Sequence, residues 1–538
     1  MIVLGLLATA CVGGNPPPTA APVPIRTVET APPPPAPVPP ARPGLPPFPK
    51  VTGPLALDMV YPPEGYTLSV RESTFVFGSV GNGDATLTIN GAPVKVNPNG
   101  SFMAFLPVPA DTAYAMSASL PTGETAAAVR RIRFPARGGP PRPAAVLDTV
   151  GYPRAVTLAN TNEYADSDTD RVTIARPVAG GTYKYFLLPG TVVQSTGRLG
   201  NSVRIRLDSQ LEAWVDDAAA ESVPGADANA GAALPGASDA AARVRRISAA
   251  RVAMGVGYTD VVITMDARAP IAVDESGEGM TLTVYSARAN LDYLRFDTND
   301  PMVRLLRYEQ ATNDRVRFEV DLRHQPVGYL VLWRAGSLVL RVRHLPVVDA
   351  TAPLRGRVIA VDAGHPPGGA MGPTRLREPE ATLGVAEQLK ELLESRGARV
   401  VMLRSTADAV ALGARPIQAR RENAEAFVSI HLNAFADGAN PFAAARGSGT
   451  FFFHPQSEPL ARAVQQGMVR TMGLRDEGIF FNNLAVARAT WFPSVLCEGA
   501  WVVMPEQEAA LRTREFQRAY ARGVVEGLEH YFRGLVSP

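Results

Sequence analysis

Three short apolar runs in the last third of this chain each end on a side chain that can bind a metal or move a proton. That pattern narrows the possible folds sharply. Val358-Ile-Ala-Val-Asp-Ala-Gly-His365 and Ala426-Phe-Val-Ser-Ile-His431 finish on histidine, and Ser494-Val-Leu-Cys-Glu498 finishes on a carboxylate. Runs this short and this apolar suit strands buried on both faces. In an open α/β sheet the ligand crevice lies outside the carboxyl ends of the strands. Three such residues arriving at one rim read as a hydrolytic metal site.

The intervening sequence supports the alternation. A helix is expected from about Pro379 to Arg396, because Leu383, Val385, Ala386, Leu389, Leu392 and Leu393 recur at three and four, with Gly397 closing it. Ala398-Arg-Val-Val-Met-Leu is the next strand, Pro416 to Ala424 the next helix, and Gly449-Thr-Phe-Phe-Phe a further strand. Helices then follow from Pro459 to Met472 and from Pro505 to Phe532. Residues 354–535 are thus expected to form an α/β domain with a mostly parallel sheet flanked by helices.

A chain of 538 residues exceeds what one core supports, so further domains must precede this one. Residues 51–137 alternate in strand-like runs, with a tight hairpin at Asn90-Gly91, and are expected to form an immunoglobulin-like β domain. Residues 144–218 read as a small β barrel-like domain, and 219–242, rich in Ala, Gly, Ser and Asp, as a flexible linker. Residues 243–348 carry alternating strands such as Arg315-Val-Arg-Phe-Glu-Val-Asp-Leu and are expected to form a β-sandwich. The formal charge of +2 provides no basic field for nucleic acid.

The N-terminal segment, residues 1–11, is apolar and ends Ala8-Thr9-Ala10-Cys11. It resembles the tail of a bacterial lipoprotein signal peptide, although a positively charged beginning is missing; an ordinary secretory signal is the alternative. The resemblance implies a periplasmic, cell-envelope protein anchored by lipid on Cys11. Residues 12–50, rich in Pro and Ala, would be an extended tether. With only Cys11 and Cys497, no disulfide framework is available.

Zinc in a hydrolase typically takes three protein ligands and leaves one position open. Of six histidines, His324 and His344 fall in the third β unit and His530 late on the last helix. His365 and His431 are the best placed, and His454, also after a strand, is a spare candidate. The carboxylate should come from the loop after His365, as Glu378 or Glu380, with Glu378 preferred.

Four features occur in order: Asp-Ala-Gly-His365, Glu378 before the first helix, Val428-Ser-Ile-His431-Leu-Asn433 and Val495-Leu-Cys-Glu498-Gly. Together they resemble the zinc-dependent N-acetylmuramoyl-L-alanine amidases of bacterial cell walls, over about residues 355–533. Arg404 and Arg415 also match that family's pattern, and residues 243–348 are similar to the AMIN-type β domain that precedes many such amidases. The resemblance implies Zn2+ held by His365, Glu378 and His431, with Glu498 as the catalytic carboxylate. It also implies hydrolysis of the amide between muramic acid and L-alanine in peptidoglycan, for wall remodelling or daughter-cell separation. A division-associated activator protein is a further implied partner. Asn433 would either help position substrate or form an ordinary strand-end turn. His365-Pro366-Pro367-Gly368-Gly369 departs from the usual His-Gly-Gly, and Cys497 replaces an aliphatic residue and reads as core. Ala434–Gly447 is short where some relatives carry an inserted inhibitory helix. The alternatives are a zinc peptidase cutting within the stem peptide and a non-catalytic wall-binding lipoprotein.

Overall fold

The computed structural model describes residues 44–135, 145–160, 172–223 and 243–536. The signal-like segment with Cys11, the tether up to residue 43, the Pro/Gly-rich break at 136–144 and the linker from residue 224 lie outside the described residues. Among the described residues no helix is long and apolar enough to cross a membrane.

The first β module pairs a three-stranded sheet (Asp58–Tyr61, Ser73–Ser79, Ser101–Pro107) with a five-stranded one that includes Ala113–Ser119 and Thr125–Arg133. Met59, Leu68, Val76, Ile89, Phe102 and Tyr114 fill the space between them. In a strand, successive side chains face opposite ways. Val76 therefore points inward, while its neighbours Phe75 and Phe77 point outward, and these two join the core of the C-terminal domain instead of meeting solvent.

Seven strands between Arg154 and Ser222 form one sheet around Leu158, Leu187, Ile205 and Val215. Its last strand, Ala220–Ser222, pairs with Arg154–Leu158, so residues expected to open the linker belong to this sheet. In the third module, a five-stranded and a four-stranded sheet enclose Val261, Ile263, Leu282, Phe318 and Leu340, a β-sandwich.

The C-terminal domain has strands β1 (Val358–Ala363), β2 (Arg399–Met402), β3 (Ala426–Asn433), β4 (Gly447–Phe452), β5 (Arg475–Phe481) and β6 (Ser494–Trp501) in the order β2-β1-β3-β6-β4-β5. The first four positions in that order are parallel, and β4 runs antiparallel to β6. Helices α1 (Glu378–Glu394), α2 (Ala414–Arg421), α3 (Glu458–Met472), α4 (Pro505–Leu511) and α5 (Arg514–Gly534) flank the sheet. The single final helix expected from Pro505 to Phe532 is in fact two. Thr513 adopts an extended backbone and its hydroxyl accepts the Phe516 N–H, which starts a second helix at Arg514. Helix α1 begins at Glu378, with Pro379 in its first turn, so Glu378 is helical and not part of the preceding loop.

Candidate active site

Parallel pairing brings the three polar residues to one rim, although β3 continues two residues past His431 and β6 three past Glu498. Ala363 lies beside Ile430, and His431 beside Glu498. The chain leaves β1 through Gly364, whose backbone passes so close to the His431 ring that a Cβ there would stand 2.5 Å from Nε2. His365 follows with φ of +59°, an uncommon left-handed conformation for a non-glycine residue.

Two buried arginines support that turn from behind. Arg404 donates to the carbonyls of Ala363 (2.9 Å), Gly364 (3.1 Å) and Pro379 (2.8 Å). Arg415 donates to the carbonyls of Ala363 (3.1 Å) and Pro366 (3.0 Å), and pairs at 2.6 Å with Asp362. Asp362 is itself buried and also accepts the Ser429 hydroxyl at 2.6 Å. The arginines singled out in the sequence therefore grip main chain beneath the site.

Three of the candidate side chains converge. One donor atom from each of His365, Glu378 and His431 lies within 4.8 Å of the other two. Glu378 is central: Oε2 is 3.4 Å from His365 Nε2, and Oε1 is 3.3 Å from His431 Nδ1. Each oxygen also accepts a main-chain N–H, from Ala370 (2.8 Å) and Leu432 (3.0 Å). Burial pushes the Glu378 carboxyl up, but hydrogen bonds from His365 and His431 and the charge of His431 outweigh it. The group is held well below the usual carboxylate range. The hydrogen bond to Glu378 raises His365 in turn, against burial. His365 Nδ1 lies 3.0 Å from the Pro367 carbonyl.

Glu498 sits beside this group in a different state. Its Oε2 is buried and takes no hydrogen bond. Burial pushes its carboxyl up to about 7; Glu378 adds to the shift, while His431 and His365 oppose it. Two neighbouring carboxylates with protonation ranges driven apart suit one acid to a fixed charge and the other to proton transfer. The preceding Cys497 is fully buried in the core, and burial raises its thiol further above neutrality.

Other candidates lie elsewhere. Glu380 is exposed. His454 is buried far along the sheet, at 2.9 Å from the Arg488 carbonyl and 3.4 Å from Glu275 of the third module. The Asn433 side chain accepts the Ala434 N–H at 2.9 Å, an ordinary turn bond. Sequence reasoning missed Glu508. Buried on α4, it accepts N–H groups of Thr374 (2.9 Å) and Leu376 (3.1 Å), fastening the loop between His365 and Glu378. Nothing in its local sequence marks it, because its partners are more than a hundred positions away.

The Amidase_3 family profile, N-acetylmuramoyl-L-alanine amidase, matches residues 359–530. An uncharacterised Bacillus subtilis protein, YqiI, is 30% identical over 209 residues, covering 38% of this chain and 98% of that protein. The N-acetylmuramoyl-L-alanine amidase AmiC of Neisseria meningitidis serogroup B is 26% identical over 324 residues, covering 44% of this chain and 77% of AmiC. Among solved structures, the N-acetylmuramoyl-L-alanine amidase from Clostridium difficile 630 shares 29% identity with a TM-score of 0.31, covering 33% of this chain and 97% of that one.

Proposed function

The chain belongs to the N-acetylmuramoyl-L-alanine amidase family, and on that premise we propose that its C-terminal domain works as a zinc hydrolase. His365, Glu378 and His431 would be the ligands and Glu498 the proton carrier. The observation that carries this reading is the convergence of the three donors within 4.8 Å, with Glu498 on the adjacent strand. Two imidazoles and a carboxylate are a common catalytic zinc set. The contact of His365 Nδ1 with the Pro367 carbonyl favours the tautomer that leaves Nε2 free to ligate.

A zinc ion held there would supply Lewis acidity towards the scissile carbonyl and acidify water. The residues do the rest. Glu378, kept ionised, provides fixed negative charge between the two rings. Glu498, beside His431 on the adjacent strand, accepts a proton from the attacking water and passes it to the departing nitrogen. The water hydroxyl joins the lactyl carbonyl carbon of muramic acid, the C–N bond breaks, and the proton ends on the amine of L-alanine.

The substrate is peptidoglycan, and the place of action is the periplasmic cell envelope, with lipid on Cys11 as the anchor. The third module would act as an AMIN-like domain that places the enzyme on the wall. Cell-wall remodelling or daughter-cell separation is the role, under control of an activator protein.

The test is digestion of purified sacculi by wild type and Glu498→Gln, with bound zinc quantified in both. The expected result is new L-alanine N-termini and lactyl carboxyls from wild type. The variant should keep its zinc and turn over roughly 10²- to 10⁴-fold more slowly. New ends within the stem peptide would indicate a peptidase. Sacculus binding without cleavage, unaffected by chelator, would indicate a non-catalytic wall protein.

A further inference from the structure

The Glu498 carboxyl has a buried oxygen with no hydrogen-bond partner, so little besides its own backbone aims it. That backbone lies beside an irregularity in the sheet. The β3–β6 ladder runs in register to His431 beside Glu498 and then slips, placing Asn433 beside Trp501. On its other side Glu498 pairs with Gly449 of β4.

A side chain from another layer holds the same stretch of backbone. Tyr520, on α5, is fully buried, and its ring lies against Gly499; a Cβ on that glycine would stand 2.2 Å from the ring. The Tyr520 hydroxyl donates to the Cys497 carbonyl at 2.7 Å and accepts the Gly499 N–H at 3.1 Å. The His431 carbonyl is 3.4 Å away. One oxygen thus joins the peptide groups on both sides of Glu498 and neighbours that of a ligand histidine. Burial keeps the phenol neutral, so it remains a donor throughout the working range.

We infer that Tyr520 is a positioning residue for the amidase reaction: its hydroxyl fixes the two peptide groups flanking Glu498 and so sets how that carboxyl meets the reacting atoms. The inference rests on the assignment of Glu498 as proton carrier. It requires no contact between Tyr520 and substrate.

Tyr520→Phe removes one oxygen and keeps the ring packed on Gly499. Turnover on sacculi, normalised to bound zinc so that unfolded molecules do not count, should fall about 10- to 100-fold, the range for removing an orienting partner. KM and zinc content should match wild type. In a Glu498→Gln background the same substitution should cost nothing further, because a residue acting through Glu498 has nothing left to position. Wild-type turnover in Tyr520→Phe, a fall confined to KM, or a further full loss in the double variant would each overturn the inference. Full turnover in Glu498→Gln alone would instead overturn the assignment on which it rests.

Discussion

At the scale of single residues, the site holds two acids in opposite states, and this has consequences for stability. The Glu498 carboxyl, ordinarily at 4.5, stands at about 7 in the metal-free fold. Its folded form binds a proton more tightly than its unfolded form. The stability it contributes is therefore full below about pH 4.5 and is lost as pH rises through about 7. Above that, ionised and half-buried, Glu498 opposes folding by on the order of 1–3 kcal/mol. Glu498→Gln removes that penalty. Metal-free Glu498→Gln should melt higher than metal-free wild type at pH 8 and equally at pH 4, as calorimetry of the two proteins would show. A second residue-scale outcome concerns Gly364. An alanine Cβ would stand 2.5 Å from His431 Nε2 and 2.6 Å from the Ile430 carbonyl oxygen, so both the ring and the β3 main chain would have to move. Gly364→Ala should fold yet bind zinc substoichiometrically, read by metal analysis after dialysis. His365, His431 and Glu498 were legible because each closes an apolar run, although β3 and β6 continue past the last two. The choice between Glu378 and Glu380 was less visible, because it depends on where α1 begins. His454 shares the strand-end signature yet belongs to a contact with the third module, which local pattern does not encode.

At the scale of elements, the loop from Pro366 to Arg377 joins the two proposed ligands His365 and Glu378. Prolines limit its freedom, but a buried acid on a different helix fixes its path. Glu508 of α4 takes the N–H groups of Thr374 and Leu376 and the Thr374 hydroxyl, while Arg512 donates to the Thr374 carbonyl at 2.6 Å. Glu508→Ala would strand two main-chain donors near the core and cost about 2–4 kcal/mol. It should also weaken zinc affinity about 10- to 100-fold, because Glu378 follows that loop directly. Denaturant unfolding and zinc competition against a chelator measure the two effects separately. Unchanged zinc affinity would mean the loop keeps its path without this clamp. Period and a closing glycine showed α1 in the sequence, since its apolar stripe recurs at three and four. The division of the last helix escaped notice because Thr513 interrupts an otherwise continuous helical composition, and a single capping hydroxyl decides it.

At the scale of the whole molecule, the first β module is more than a spacer. Phe75, Phe77 and Met103 belong to one continuous core with Leu354, Ile430, Trp501 and Met504 of the catalytic domain. The Phe75 ring lies tilted against Phe435 with centroids 5.5 Å apart, and Phe435 stacks on Trp501, three residues past Glu498, at 4.5 Å. Around this apolar seam, Asp437 accepts hydrogen bonds from the Tyr61 hydroxyl and from the Ser69 N–H at 2.9 Å, and Arg375 forms a pair with Asp58 at the surface. Both loops beside the site, the one carrying Arg375 and the one carrying Asp437, are thus tied to the module. Alternation alone could not reveal this in the sequence: outward aromatic residues on an edge sheet read the same whether they meet solvent or a partner domain. If the seam is a true core, truncating it should act on both partners. Phe75→Ala should cost about 3–5 kcal/mol, typical of a buried aromatic. The first module and the catalytic domain should then unfold together at the lowered temperature, followed by hydrogen exchange in Ser73–Ser79 and in β3. Arg375→Ala, at an exposed ion pair, should change stability by less than about 1 kcal/mol. A Phe75→Ala protein in which Ser73–Ser79 exchanges early while β3 keeps wild-type protection would show that the two domains share a surface without sharing stability.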